Sequence, residues 1–217
     1  MRISKEGFPT LLGVMFFTLA LGWLGYQSGN PAMIGVFYLF AILFLFCLYF
    51  FRDPKRTLPK ESNAIVSPAD GKVVEIKTVE ESLYLKQEVT RVAIFLSIFD
   101  VHVNYVPFGG QVDYVKFKRG TFLPAYKAKA SESNQFTLVG MNTPFGKMAF
   151  KQSAGLVARR IVCHLRYGQE VPTGYKFGII KFGSRAEVYL PKGATLLIKE
   201  GDRLRAGESV IARVDEK

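Results

Sequence analysis

Residues 175–191, YKFGIIKFGSRAEVYLP, read as a β-strand interrupted part-way. On either side of Gly183-Ser184-Arg185 stand the β-branched and aromatic residues that fit a pleated, half-buried surface, YKFGIIKF before and AEVYLP after. A glycine inside a strand ordinarily marks a bulge. The second reading is chemical: Gly183-Ser184 is a peptide bond built to break. Spacing alone allows both.

Outward from this stretch the same grammar of short strands and turns continues. AIVSPADGKVVEIKTVE (residues 64–80) places a PADG turn between two apolar segments, as in strand, tight turn and strand. RVAIFLSIF is a buried strand, VHVNYVPF alternates up to the Gly109-Gly110 turn, and GQVDYVKFKRG alternates again. FLPAYKAKASESNQ (122–135) has no period and reads as a loop. FTLVGM, KMAFKQSAG and RRIVCHLRYG add further strands, with one short helical turn expected in QSAGLVARR. YGQEVPTGYKFGII and EGDRLRAGESVIARV echo each other, Gly168 and Gly174 matching Gly201 and Gly207, which suits a tight turn feeding a strand. The fold class expected for residues 52–217 is mainly β, a compact sandwich or barrel-like domain.

Residues 1–51 differ. FPTLLGVMFFTLALGWLGY (8–26) and AMIGVFYLFAILFLFCLYFF (32–51) carry no charge, and each has about the 20 residues a helix needs to cross a bilayer. QSGNP joins them as a turn. A cleaved signal peptide fits poorly, since no small-x-small site precedes an abrupt polar region. Arg2 and Lys5 flank one outer end and Arg52, Lys55 and Arg56 the other, while the turn has no basic residue. The expectation is a transmembrane hairpin in the cell membrane, with both ends and everything after residue 52 on the cytoplasmic side.

Of 29 Lys and Arg and 18 Asp and Glu, 27 and 17 fall in residues 52–217. Beside a membrane hairpin this basic excess suits anionic lipid. No zinc, helix-turn-helix or RNP-like pattern points to nucleic acid. Cys47 and Cys163 have no metal or disulfide spacing, which agrees with a reducing compartment, and no metal site is expected. Only two histidines exist for proton transfer near neutral pH, His102 and His164. Nucleophile-elbow, Walker and dinucleotide motifs are absent.

Taken in order, FRDPKR after the apolar hairpin, SPADGKV, FLSIFDVHVNYVPFGG, AGLVARRIVC and FGSR resemble the short form of phosphatidylserine decarboxylase across about residues 52–190. The resemblance implies a proenzyme that cuts itself between Gly183 and Ser184. The Ser184 hydroxyl attacks the preceding carbonyl, and Gly183, lacking Cβ, lets the backbone bend for that approach. Loss of the Ser184 α-proton then expels Gly183 as a carboxylate, and hydrolysis of the remaining dehydroalanine leaves a pyruvoyl group and ammonia. The larger β chain and the α chain starting at Ser184 stay associated, and a homo-oligomer is left open. The implied reaction is decarboxylation of phosphatidylserine to phosphatidylethanolamine through a Schiff base on the pyruvoyl group.

Asp70 of SPADG and His102 are the implied assisting groups. Longer family members carry a second histidine three positions after the first; here that position is Tyr105, so their self-cleavage triad does not transfer whole. ESNQ (132–135) departs from the Asn-Glu-Arg run of relatives, and His164 stands where a tyrosine is common. Three alternatives remain at this level: a membrane-anchored β-domain adaptor or lipid-binding protein without catalysis, a tethered hydrolase using Ser184 in an unbroken chain, and a decarboxylase for another headgroup.

Overall fold

The computed structural model describes residues 2–120, 134–155, 160–181 and 184–214. The chain divides into two compact units, the first ending at Pro54 and the second beginning at Lys55.

In the first unit a 3₁₀ turn leads into α1 (Phe8–Ser28) and α2 (Pro31–Phe50). Gly29, at φ 61°, closes α1 and donates its N–H to the Gly25 carbonyl. Asn30 Oδ1 caps α2 by accepting from the Ala32 N–H at 2.9 Å, and Pro31 takes the first helical position, where its missing N–H costs nothing. Small residues let the helices approach: a Cβ at Gly22 would stand 3.1 Å from the Phe37 ring. Each helix is long and apolar enough to cross a membrane. Phe16, Leu19, Trp23, Ile42 and Leu45 are exposed along them, an apolar surface that water does not favour. The outer ends meet, with Ser4 N–H donating to the Phe51 carbonyl and Asp53 N–H to the Arg2 carbonyl, both at 2.8 Å.

The second unit is mostly β, as the strand grammar predicts. An eight-stranded antiparallel sheet is assembled from β2 (Gly71–Glu81), β3 (Gln87–Leu96), β5 (Gly110–Lys118), β6 (Phe136–Thr143), β7 (Gly146–Ala154), β9 (Glu170–Val171), β11 (Ser184–Tyr189) and β13 (Arg203–Leu204). Its order is β13-β2-β3-β11-β7-β6-β5-β9. Two smaller sheets complete the unit: β1 (Ala64–Val66), β14 (Val210–Val214) and β12 (Ala194–Leu196) in the order β1-β14-β12, and β4 (Val103–Tyr105), β10 (Lys176–Lys181) and β8 (Arg160–Cys163) in the order β4-β10-β8. One apolar core joins all three, with Val92, Ile94, Phe150 and Val188 from the large sheet meeting Ile65 and Ile211 from one small sheet and Phe177 from the other.

Two expectations change. The segments on either side of the Gly183-Ser184 stop are not one strand: β10, ending at Lys181, pairs with β4 and β8, while β11, beginning at Ser184, pairs with β3 and β7 in another sheet. The helical turn expected in QSAGLVARR is replaced at Gln152–Ala154 by strand β7, because these residues pair with β6 and β11. Residues 156–159, with most of the loop expected over 122–135 and Gly183 itself, lie outside the described residues. The PADG turn does separate two strands, but they enter different sheets. Gly168, Gly174, Gly201 and Gly207 all adopt positive φ, so the internal echo is a repeated turn in which a Cβ would strain the backbone.

Candidate active site

Ser184 opens β11 at the centre of the large sheet, opposite Leu96 on β3 and Ala154 on β7. Successive side chains of a strand alternate between faces. Ser184, Ala186 and Val188 therefore face the apolar core, where Ala69, Leu96 and Ala186 pack together. The Ser184 hydroxyl is fully enclosed and makes no hydrogen bond among the described residues. A buried hydroxyl left without a partner costs about 1–3 kcal/mol.

Short connections bring His102 towards the same end. Leu96, the partner of Ser184, precedes His102 by six residues, and Ile180, four before Ser184, donates its N–H to the His102 carbonyl at 3.4 Å. The imidazole is buried, with Nδ1 at 2.9 Å from the Asp100 carbonyl oxygen. A carbonyl only accepts, so Nδ1 carries the hydrogen and Nε2 is the basic nitrogen of the neutral ring. Asp100 holds that carbonyl in place by taking the Ser97 N–H and Oγ–H on Oδ2, both at 2.8 Å. The aspartate carboxylate builds the turn; its backbone orients the histidine.

His102 and Asn104 alternate with Val101, Val103 and Tyr105, which pack with Ala206. Tyr105 thus occupies an apolar cluster on the other side of the strand from His102. Asn104 Oδ1 accepts from Gln152 Nε2 at 2.8 Å, and Asn104 Nδ2 donates to the Pro68 carbonyl. Gln152 Nε2 also reaches the Val162 carbonyl, which fixes the amide orientation and leaves Gln152 Oε1 as a buried acceptor without a partner among the described residues. Gln152 lies opposite Ala186, on the face of Ser184.

Asp70 stands just before β2, whose Lys72 is level with Phe95 and, across β3, with Arg185. Its carboxylate is taken by Arg56: both oxygens accept from Nη2 at 2.8 Å, and Oδ1 accepts the Ala206 N–H at 2.7 Å. Of the residues singled out in the sequence, Ser184 and Asp70 stand at the same end of the large sheet, and His102 follows the end of β3 that pairs with Ser184; His164 lies on the connection after β8 and is exposed. Asn134 of ESNQ donates to the carbonyl of Ala154, beside Ser184. A cleft of about 740 Å³ lined by Gln111, Asn142, Thr143 and Glu170 is at the far end of β7 from Ala154 and contains neither histidine nor serine.

Sequence reading missed Arg56, Asn104, Gln152 and the charges on the other face of β11. Gln152 did carry a signal: in MAFKQSA it is polar where alternation from Met148 and Phe150 calls for an apolar residue. The far-face charges are buried and paired. Arg185 Nε donates to Glu187 Oε1 and its Nη2 to Glu75 Oε2, each at 2.7 Å. Arg91 reaches Glu75 at 2.6 Å, and Lys151 and the Tyr189 hydroxyl reach Glu187 Oε2 at 2.8 Å. Burial alone would push the Glu187 carboxyl up, but Lys151, Arg185 and Arg91 together hold it well below the usual carboxylate range.

The profile of the family described as phosphatidylserine decarboxylase matches residues 43–212. The chain belongs to the phosphatidylserine decarboxylase family. A phosphatidylserine decarboxylase proenzyme of Carboxydothermus hydrogenoformans is 44% identical over 97% of this chain and 95% of its own length. Proenzymes of the same name from Pelobacter propionicus and Pelodictyon phaeoclathratiforme are 41% and 40% identical, over 98% and 97% of this chain and 96% and 99% of theirs. Family membership thus covers both the β unit and the apolar hairpin.

Because the folded Glu187 carboxyl is depressed, its stabilisation is complete above the ordinary value of 4.5 and is lost as pH falls towards the folded value. Glu187→Gln, which leaves buried cations without their counter-charge, should cost about 3–5 kcal/mol at neutral pH. That deficit should shrink steadily in denaturation curves taken at successively lower pH below 4.5. A deficit constant with pH would show that the charge on Glu187 is not what stabilises the fold.

Proposed function

We propose that this protein decarboxylates phosphatidylserine to phosphatidylethanolamine, and that it matures by cutting itself between Gly183 and Ser184 so that Ser184 becomes a pyruvoyl group. The observation that carries the reading is the Ser184 hydroxyl, buried and unbonded among the described residues at the first position of a fully paired strand. Membership of a family whose relatives are named proenzymes supports it. Ala69, Leu96, Ala154 and Ala186, all buried, give the small dry surroundings that suit a reactive carbonyl.

When formed, the pyruvoyl group supplies a carbonyl that takes up a primary amine and receives the electron pair left as CO₂ departs. The chain's own residues serve this chemistry. The Ser184 hydroxyl attacks the preceding carbonyl during maturation. His102, with Nδ1 held by the Asp100 carbonyl, uses Nε2 to move protons. Gln152 Oε1 offers an acceptor for the substrate's ammonium on the Ser184 face. Asp70, clamped by Arg56 and the Ala206 N–H, holds the 67–70 turn whose Pro68 carbonyl anchors Asn104 and the Tyr105 N–H. Its role is positional and falls chiefly on maturation.

The apolar hairpin spans the bilayer with both ends cytoplasmic, as its flanking Arg and Lys imply, and puts the catalytic unit on the side where basic residues meet anionic lipid. Cysteine labelling in intact cells should find position 60 and the QSGNP turn on opposite sides; the same side for both would refute this topology.

The intact mass of the purified protein tests the central claim. Two chains are expected, residues 1–183 and a fragment starting at 184 that resists Edman sequencing for want of an amine. Ser184→Ala should stay whole, folded and inactive. A fully active, unbroken wild-type chain would end the reading.

His102→Ala should lower turnover by roughly 10²- to 10⁴-fold, the usual range for one acid–base group. His164→Ala, at an exposed position, should leave turnover nearly unchanged. Steady-state assays ranking the two variants the other way would move the proton-transfer role away from His102.

A further inference from the structure

Cleavage at residue 184 would free the end of β11 at the point where the reacting group must be held most firmly. New chain termini are poorly ordered unless tied down. Backbone pairing to β3 and β7 holds the strand but does not by itself fix its register, which is set by what each face can accept.

Arg185 is the first side chain after the reacting position and is only 1% exposed. Its Nη2 donates to Glu75 on β2, and its Nε to Glu187, which in turn receives Lys151 of β7. Glu75, Arg91 and Lys151 precede the cut; Arg185 and Glu187 follow it. Two of the pairs, Arg185–Glu75 and Glu187–Lys151, therefore run from one side of the broken bond to the other.

We propose that Arg185 is the positioning residue for the group at 184, and that the cross-chain pairs Arg185–Glu75 and Glu187–Lys151 replace the severed peptide bond as the tether of that end. The proposal rests on the cleavage reading above. A slip of one residue would carry Arg185 into the apolar face of Ala69, Leu96 and Ala186 and strip it of both carboxylates, so the clamp admits one register only. Neither Arg185 nor its partners touch the reacting atoms. They act through the backbone of residue 184, from the opposite side of the sheet.

The test compares Arg185→Met and Arg185→Lys with the wild type, and adds Glu75→Gln, at a partly exposed position, in case Arg185→Met fails to fold. Each is measured by intact mass, by kcat and KM, and by amide hydrogen exchange over 185–189. Each substitution is also placed on the uncleavable Ser184→Ala chain. The clamp predicts that Arg185→Met and Glu75→Gln still cleave, with kcat lower by on the order of 10-fold to 10²-fold, as expected for a displacement of about 1 Å, and KM little changed. Arg185→Lys should recover part of the loss. Exchange over 185–189 should quicken in the cleaved variants and not in their Ser184→Ala counterparts. Equal quickening in cleaved and uncleaved chains, or unchanged kcat in cleaved Arg185→Met and Glu75→Gln, would overturn the clamp. A wild-type chain that is active and whole would refute the cleavage reading first, at the mass measurement, and the clamp with it.

Discussion

Strand β11 must satisfy two incompatible environments at once, and the β unit is organised around that demand. Its odd and even residues alternate between an apolar core and a buried ionic layer: Ala186 and Val188 on one side, Arg185 and Glu187 on the other. Neither set can trade places without burying a bare charge in hydrocarbon or leaving carboxylates unmatched. With β11 so fixed, β3 and β7 are fixed beside it. The end of β3 sets the Ser97–Asp100 turn that orients His102, and β7 carries Gln152 to Asn104. β10, ending at Lys181, belongs to a different sheet from β11.

Much of this was legible in the sequence because it depended on local pattern. Uncharged runs about one bilayer long became α1 and α2 nearly to the residue; alternation marked β4 and β5, a continuous apolar run marked β3, and turn-bounded apolar segments marked β2, β6 and β7. The echo of Gly168 and Gly174 in Gly201 and Gly207 proved to be a backbone requirement, since all four take positive φ. What could not be read was pairing. Nothing local shows that β1 and β2, parted only by SPAD (67–70), join different sheets, or that β10 and β11 on either side of the GSR stop do. QSAG was open to two readings, the end of the strand KMAFKQSAG and the start of a helical turn in QSAGLVARR, and through Ala154 it is strand.

The site divides in the same way. Ser184, His102 and Asp70 stood out through motif order and the scarcity of histidine. Arg56 and Glu75 did not, because an Arg in FRDPKR or a Glu in VVEIK looks like an ordinary surface charge until folding brings it to a partner more than a dozen residues away. The Asp100 backbone carbonyl, which no sequence pattern marks, makes the contact to His102, while its carboxylate caps a turn.

The segment from Ser184 onward supplies β11 and β13 to the large sheet and β12 and β14 to a small one, interleaved with strands from the rest of the chain. Such a segment can be threaded efficiently only while it is tethered, when its effective concentration near its partners is high. Folding must therefore come before the proposed cut. Once separated, the two pieces would have to find each other by a second-order encounter, each exposing unpaired strand edges meanwhile. The mature protein would then behave as a single-use assembly whose working lifetime is governed by how slowly it comes apart and not by how well it refolds.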